Sequence, residues 1–221
     1  MFKPLALAAA LLTSAPVFAS TVNIQYMGKD AAAPVLTTSL TTSYATAALT
    51  YLDAGTNTSF LAYCIEPEQP NALTSRGARG YEVTSFTGTE ATLLQGLYSS
   101  SFASVQTPQQ QAAFQLAIWE IVRESGTTLD VSQGNGSFFL RTDTGSSAQM
   151  QSSLSLESLS NSYLTAAQNY QGPSLYALTK LTNASYQDLV MANPVPEPGT
   201  YAMLLAGLGI VGLVARRRLP R

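Results

Sequence analysis

A thiol and a carboxamide are the two groups in this chain with chemistry to offer each other. Cys64, the only cysteine, lies in Tyr63-Cys64-Ile65-Glu66, and Gln115 follows in Phe114-Gln115-Leu116-Ala117-Ile118-Trp119. A lone cysteine has no disulfide partner in its own chain. A glutamine within an apolar helical face has no evident hydrogen-bond partner. If the sulfur attacks the carboxamide carbon and displaces ammonia, the two side chains join as an internal thioester. That bond is a stored electrophile, because sulfur donates poorly into the carbonyl and thiolate is a fair leaving group. An incoming nucleophile would take the acyl group and free the Cys64 thiol, a single-turnover coupling and not enzymatic catalysis. A second reading stays open, in which Cys64 is a small buried hydrophobe or an intermolecular disulfide partner. The chain is then a non-reactive structural protein of the extracellular matrix.

Composition removes most competing chemistry. The 221 residues contain no histidine, which excludes Ser-His-Asp and Cys-His catalysis and histidine-bound zinc. One cysteine cannot build a thiolate metal site, and no glycine-rich phosphate loop is present. No metal or other cofactor is therefore expected. Between residues 20 and 192 six Lys and Arg stand against twelve Asp and Glu, a balance of −6 that argues against nucleic acid as a partner.

The elements that must carry the pair are readable from patterning. Val22 to Tyr26, Ala45 to Leu52, Ser59 to Ile65 and Tyr81 to Phe86 read as strands, with Asp53-Ala54-Gly55-Thr56-Asn57 as a turn. A short helix is expected from Thr89 to Tyr98. Thr107-Pro108-Gln109-Gln110 is a capping box with proline at the first helical position, opening a helix to about Ser125 before Gly126. Phe138 to Arg141 reads as a strand and Ser147 to Gln171 as a helix; Tyr176 to Leu181 and Gln187 to Met191 return to the sheet. On the second helix Gln111, Ala112, Ile118, Trp119 and Val122 fall within about 60° of Gln115. Glu120 and Glu124 fall on the far side, where a surface position is expected. Cys64 alternates with Phe60 and Ala62 on one strand face, so a sheet residue can meet the helix. Tyr63, Phe114 and Trp119 are candidate walls that exclude water from the bond.

Both chain ends carry targeting patterns. Met1 to Ala19 has Lys3, an apolar core from Leu5 to Leu12 and Val17-Phe18-Ala19, the pattern of a cleaved signal peptide. At the other end Pro196-Glu197-Pro198 precedes the apolar run Thr200 to Ala215 and Arg216-Arg217-Arg218. A helix over that run spans only about 24 Å, short of the roughly 30 Å bilayer core, and the arginines would keep its end cytoplasmic. Residues 193–221 resemble the PEP-CTERM sorting signal of Gram-negative bacteria. That resemblance implies an exosortase-type sorting protease as partner, a transient inner-membrane intermediate, and a final place at the cell surface or in the extracellular matrix of a biofilm.

The Tyr-Cys-Ile-Glu strand and the Gln-x-Ala-Ile-Trp helix, in turn, resemble the signature segments of thioester domains on Gram-positive surface adhesins. Phe114 departs from that pattern, in which a small residue commonly precedes the glutamine. The resemblance implies an α+β fold for residues 20–192, a β-sheet or barrel with an inserted helical region. It implies that Cys64 supplies the sulfur and Gln115 the acyl group of a thioester. The partner it implies is a surface or matrix ligand bearing an amine or hydroxyl nucleophile.

Overall fold

The structure, a computed structural model, describes residues 20–126, 128–196 and 207–208. The signal peptide expected over residues 1–19, Glu197, Pro198 and nearly all of the C-terminal apolar run lie outside them. Among the described residues no helix is long and apolar enough to cross a membrane.

Six antiparallel strands close into a barrel: β1 (Ser20–Lys29), β4 (Leu49–Asp53), β5 (Thr58–Cys64), β8 (Leu189–Pro194), β7 (Tyr176–Thr182) and β6 (Arg79–Thr84), in that spatial order. A two-stranded ribbon of β2 (Val35–Leu36) and β3 (Tyr44–Ala45) sits between β1 and β4 in sequence. Three helices, α1 (Gly88–Ser101), α2 (Pro108–Arg123) and α3 (Ser147–Gln168), are inserted between β6 and β7. This is the α+β arrangement expected, resolved as a barrel rather than an open sheet.

Side-chain alternation divides each strand. Ile24, Leu49, Tyr51, Ala62, Tyr81, Leu181 and Leu189 are buried on the inner face. The register pairs Cys64 with Leu189 and so places the thiol on that face too, while Tyr63 and its partner Val190 point outward beneath the helices. Burial of this apolar set, roughly 1.5–3 kcal/mol per large side chain, drives the fold.

Several elements differ from the sequence pattern. The strand expected over Ala45 to Leu52 is split, because Thr46 N donates to Pro34 O (2.8 Å) and draws the chain into the small ribbon before β4 begins. Phe138 to Arg141 is not a strand; Leu140 makes one bridge to Thr38. α3 has a capping box of its own, formed by Ser146 and Gln149.

Candidate functional site

α2 starts where its sequence says it should. The Thr107 side chain accepts from Gln110 N, the Gln110 side chain accepts from Thr107 N, and Pro108 occupies the first turn. At the other end Arg123 forms an ion pair with Glu68 in the loop after β5, which ties the helix to the strand that bears Cys64.

β5 has an unusual end. Ile65 N donates to Asp188 O, so the antiparallel alternation sends the N–H and C=O of Cys64 toward the opposite neighbour, β4. That strand begins only at Leu49, opposite Ala62, and offers nothing at the level of Cys64. The Gln115 carboxamide takes the place of the missing peptide group. Its Oε1 accepts from Cys64 N at 2.9 Å, and its Nε2 donates to Cys64 O at 2.6 Å. Both partners are buried, Cys64 at 2% exposure and Gln115 at 1%. The carboxamide is thereby held against the main chain of the residue that carries the thiol. Hydrogen bonding across 51 positions of sequence is therefore made by the two side-chain-bearing residues singled out for chemistry.

The thiol is free and enclosed. Burial pushes its pKa well above the ordinary thiol range; the N–H of Glu66 and the Trp119 indole oppose this, and the carboxylates of Glu66 and Glu68 add to the rise. Trp119 is wholly buried, edge-on to Tyr44 (ring centroids 5.8 Å) and to Phe138 (6.1 Å). Its Nε1 closes no hydrogen bond to any protein atom. Tyr63 and Phe114 pack on each other at 5.1 Å within an aromatic layer shared with Tyr98 and Phe102, between barrel and helices. They flank the pair from the outer side of β5, whereas Trp119 borders the sulfur.

Gln111, one turn before Gln115, is separated from the thiol. It lines an outer groove of about 420 Å³ with Met27, Lys29, Ala48 and Leu61.

Two buried polar residues carry no obvious signal in the sequence, Gln187 just before β8 and Glu120 on the side of α2 opposite Gln115. Gln187 is fully buried, and neither its Oε1 nor its Nε2 has a partner. Glu120, expected at the surface, is fully buried because the 128–141 segment folds over that side of α2; its Oε1 accepts from Asp130 N at 2.7 Å. Its Oε2 is unpartnered, and burial raises its pKa to about 7, with the Asp130 N–H opposing and the carboxylates of Glu124 and Asp130 adding. Among the described residues no cluster of three or more His, Cys, Asp or Glu is placed to hold a metal ion.

Residues 194–218 match the PEP-CTERM protein-sorting motif. The match begins at the last residue of β8, Pro194, and by Pro196 it is exposed chain beyond the barrel. In structure the chain is similar to the N-terminal domain of the Streptococcus pyogenes pilus tip adhesin Cpa. The match has a TM-score of 0.50 at 18% identity and covers 82% of this chain and 97% of that one. The N-terminal thioester domain of fibronectin-binding protein SfbI from Streptococcus pyogenes gives 0.46 at 16%, covering 79% and 94%. The N-terminal thioester domain of a Clostridium perfringens surface protein, in a cysteine-to-alanine variant, gives 0.41 at 15%, covering 67% and 89%. No curated protein matches the chain in sequence. The likeness to the pilus tip domain is one of fold.

Proposed function

We propose that this protein is exported, sorted at its PEP-CTERM motif by an exosortase-type protease, and displayed at the cell surface or in the extracellular matrix. There an internal Cys64–Gln115 thioester couples it covalently to a partner bearing an amine or hydroxyl. The observation that carries the reading is the paired hydrogen bond of the Gln115 carboxamide to the main chain of Cys64. The fold shared with a pilus tip adhesin domain supports an adhesive role, and the sorting motif supports display outside the cell.

The geometry suits bond formation. Attack of the Cys64 sulfur on the Gln115 carbonyl carbon puts negative charge on Oε1, which already accepts from Cys64 N–H, a fixed donor in a dry site. Nε2 leaves as ammonia, carrying away the proton that the thiol gives up, so no outside acid, base or oxidant is needed. The aromatic layer of Tyr63 and Phe114 on one side and Trp119 on the other excludes the water that would hydrolyse the product. Coupling reverses the pattern: the nucleophile adds to the carbonyl carbon, the C–S bond breaks, and the proton of the nucleophile ends on the Cys64 sulfur.

The intact mass of the extracellular form tests both halves. It should be short by one ammonia, with Cys64 resistant to alkylation, and it should end near Pro196-Glu197-Pro198 and lack Arg216 to Arg221. A full-mass chain with an alkylatable Cys64, once hydrolysis to glutamate at position 115 is excluded, rejects the thioester. Intact C-terminal arginines reject the processing.

A further inference from the structure

Around the Cys64 thiol the protein keeps a set of polar atoms that nothing in the fold satisfies. Trp119 Nε1 and both carboxamide atoms of Gln187 are buried without a hydrogen-bond partner. Gln187 stands just before β8, two residues from Leu189, the register partner of Cys64, at the end of the barrel where β5 stops. Its main-chain N donates to Pro70 O at 3.2 Å, which fixes the backbone while the side chain stays free. The carboxamide faces the Tyr44 hydroxyl closely enough to lower that phenol's pKa against the burial that raises it, although no hydrogen bond closes. The Tyr44 ring in turn stands edge-on to Trp119, whose indole borders the sulfur. Gln187, Tyr44 and Trp119 thus gather at the end of the barrel that holds the thiol.

An orphaned carboxamide of this kind weakens a fold, because its burial is not repaid by hydrogen bonds. An apolar side chain of the same size would be better packing. Gln115, the other buried glutamine beside Cys64, has both polar atoms satisfied, so the site does not lack the means to pair a carboxamide. Gln187 is left with its carboxamide oxygen and nitrogen unpaired and buried, just before the strand that pairs with Cys64.

We propose that Gln187 is a positioning residue for the nucleophile that opens the thioester, an inference that rests on the thioester reading above. Gln187 Oε1 accepts one N–H of an incoming primary amine, or the O–H of an alcohol, and turns its lone pair toward the Gln115 carbonyl carbon. The new C–N or C–O bond forms as the C–S bond breaks, and the displaced proton passes to the Cys64 sulfur. Trp119 Nε1–H faces the sulfur as it leaves. The set fits a small neutral head that has both a lone pair and a hydrogen atom to donate, such as a primary amine at the end of a slender chain, and has nothing to offer a tertiary amine.

The test uses the mature chain with methylamine as probe, following thiol release and mass. Gln187→Met is close in volume and removes both polar atoms; Gln187→Asn keeps the carboxamide but withdraws it. Both variants should still be short by one ammonia. Gln187→Met should melt higher than the unsubstituted chain yet react with methylamine about tenfold or more slowly, with saturation lost or moved to higher concentration. Gln187→Asn should also react more slowly, and it serves alone if the methionine variant does not fold. A methylamine rate and saturation unchanged in either folded, ammonia-deficient variant overturns the proposal. Equal loss of thioester formation and of reaction also overturns it, since that marks a merely structural role. An unsubstituted chain at full mass overturns the thioester itself, and Gln187 with it, before any variant is made.

Discussion

The two ends of β5 are finished in opposite ways. At Thr58 the strand emerges from a tight hairpin whose polar groups are satisfied locally: Asp53 Oδ1 accepts from Gly55 N at 2.8 Å, and Asn57 N donates to Asp53 O. That end is exposed, and Asn57 adopts a left-handed φ of 56° that asparagine tolerates. At Cys64 the strand has lost its β4 neighbour, is fully buried, and is completed by a side chain from a helix 51 residues away. A hairpin end can be built by any sequence with turn residues. An end completed by a distant carboxamide depends on one residue, and that dependence holds the Gln115 side chain against the main chain of Cys64.

The largest effect should come from removing that carboxamide. On the thioester reading Gln115→Ala should abolish methylamine incorporation, and so should Cys64→Ala, because each deletes one half of the proposed crosslink. Loss of a 51-residue loop closure is worth about 4 kcal/mol if the disulfide relation transfers. The two variants should not be equal, however. Gln115→Ala also strands the buried N–H and C=O of Cys64, a further cost of roughly 1–3 kcal/mol. Chemical denaturation of both variants measures the difference. Equal stabilities would mean that the two hydrogen bonds contribute nothing once the covalent bond is gone.

Next in size is the aromatic layer. Phe114→Ala removes a ring packed at 5.0–5.6 Å against those of Tyr63, Tyr98 and Phe102, at a cost of about 3–5 kcal/mol. With water admitted beside the acyl group, the thioester should hydrolyse faster, read as Gln115 converted to glutamate in the mass spectrum. Retention of the ammonia-deficient mass over days would show that Trp119 alone excludes water.

Glu120 gives a pH signature on the far side of α2. Its carboxyl is raised to about 7 in the folded chain from an ordinary 4.5, so it favours folding fully below pH 4.5 and loses that contribution as pH rises through 7. Glu120→Gln keeps an acceptor for Asp130 N–H and cannot ionise. It should raise stability at pH 8 by about 1–2 kcal/mol, a figure discounted for solvent screening, and change little at pH 4.5. A constant difference across that range would place the titration elsewhere.

Much of the site was legible because it rests on local rules. Thr107, Pro108 and Gln110 set the start of α2, the 3.6-residue period brings Ile118 and Trp119 to the side of Gln115, and strand alternation puts Cys64 inside. The rest depended on long-range facts that no period encodes. That β4 starts too late to cover Cys64 follows from the Thr46–Pro34 hydrogen bond, a detail of the ribbon before it. Glu120 looked like a solvent residue because it lies opposite Gln115, yet α2 is wrapped on both sides and hydrophobic period alone cannot distinguish a surface helix from a central one. Gln187 carries no pattern at all; only the register of β8 against β5 brings the residues just before β8 to the end of β5 that bears Cys64.

The smallest expected effect is the control that makes the contrast between the two ends of β5 decisive. Asp53→Ala removes the side chain that accepts from Gly55 N and holds the hairpin, and these same bonds pull its carboxyl below the ordinary range. Because that end is exposed, water can replace the lost acceptor, so melting temperature should fall only slightly. The fall should appear only above the pH at which the carboxyl ionises. Below it the protonated aspartate is a weaker acceptor and the two chains converge. Methylamine incorporation should be unchanged at every pH, because Tyr51 to Asp53 still pair with Phe60 to Thr58 and keep the register that carries Cys64 to α2. A loss of incorporation in this variant would mean that the hairpin, and not the Gln115 carboxamide, sets the position of the thiol.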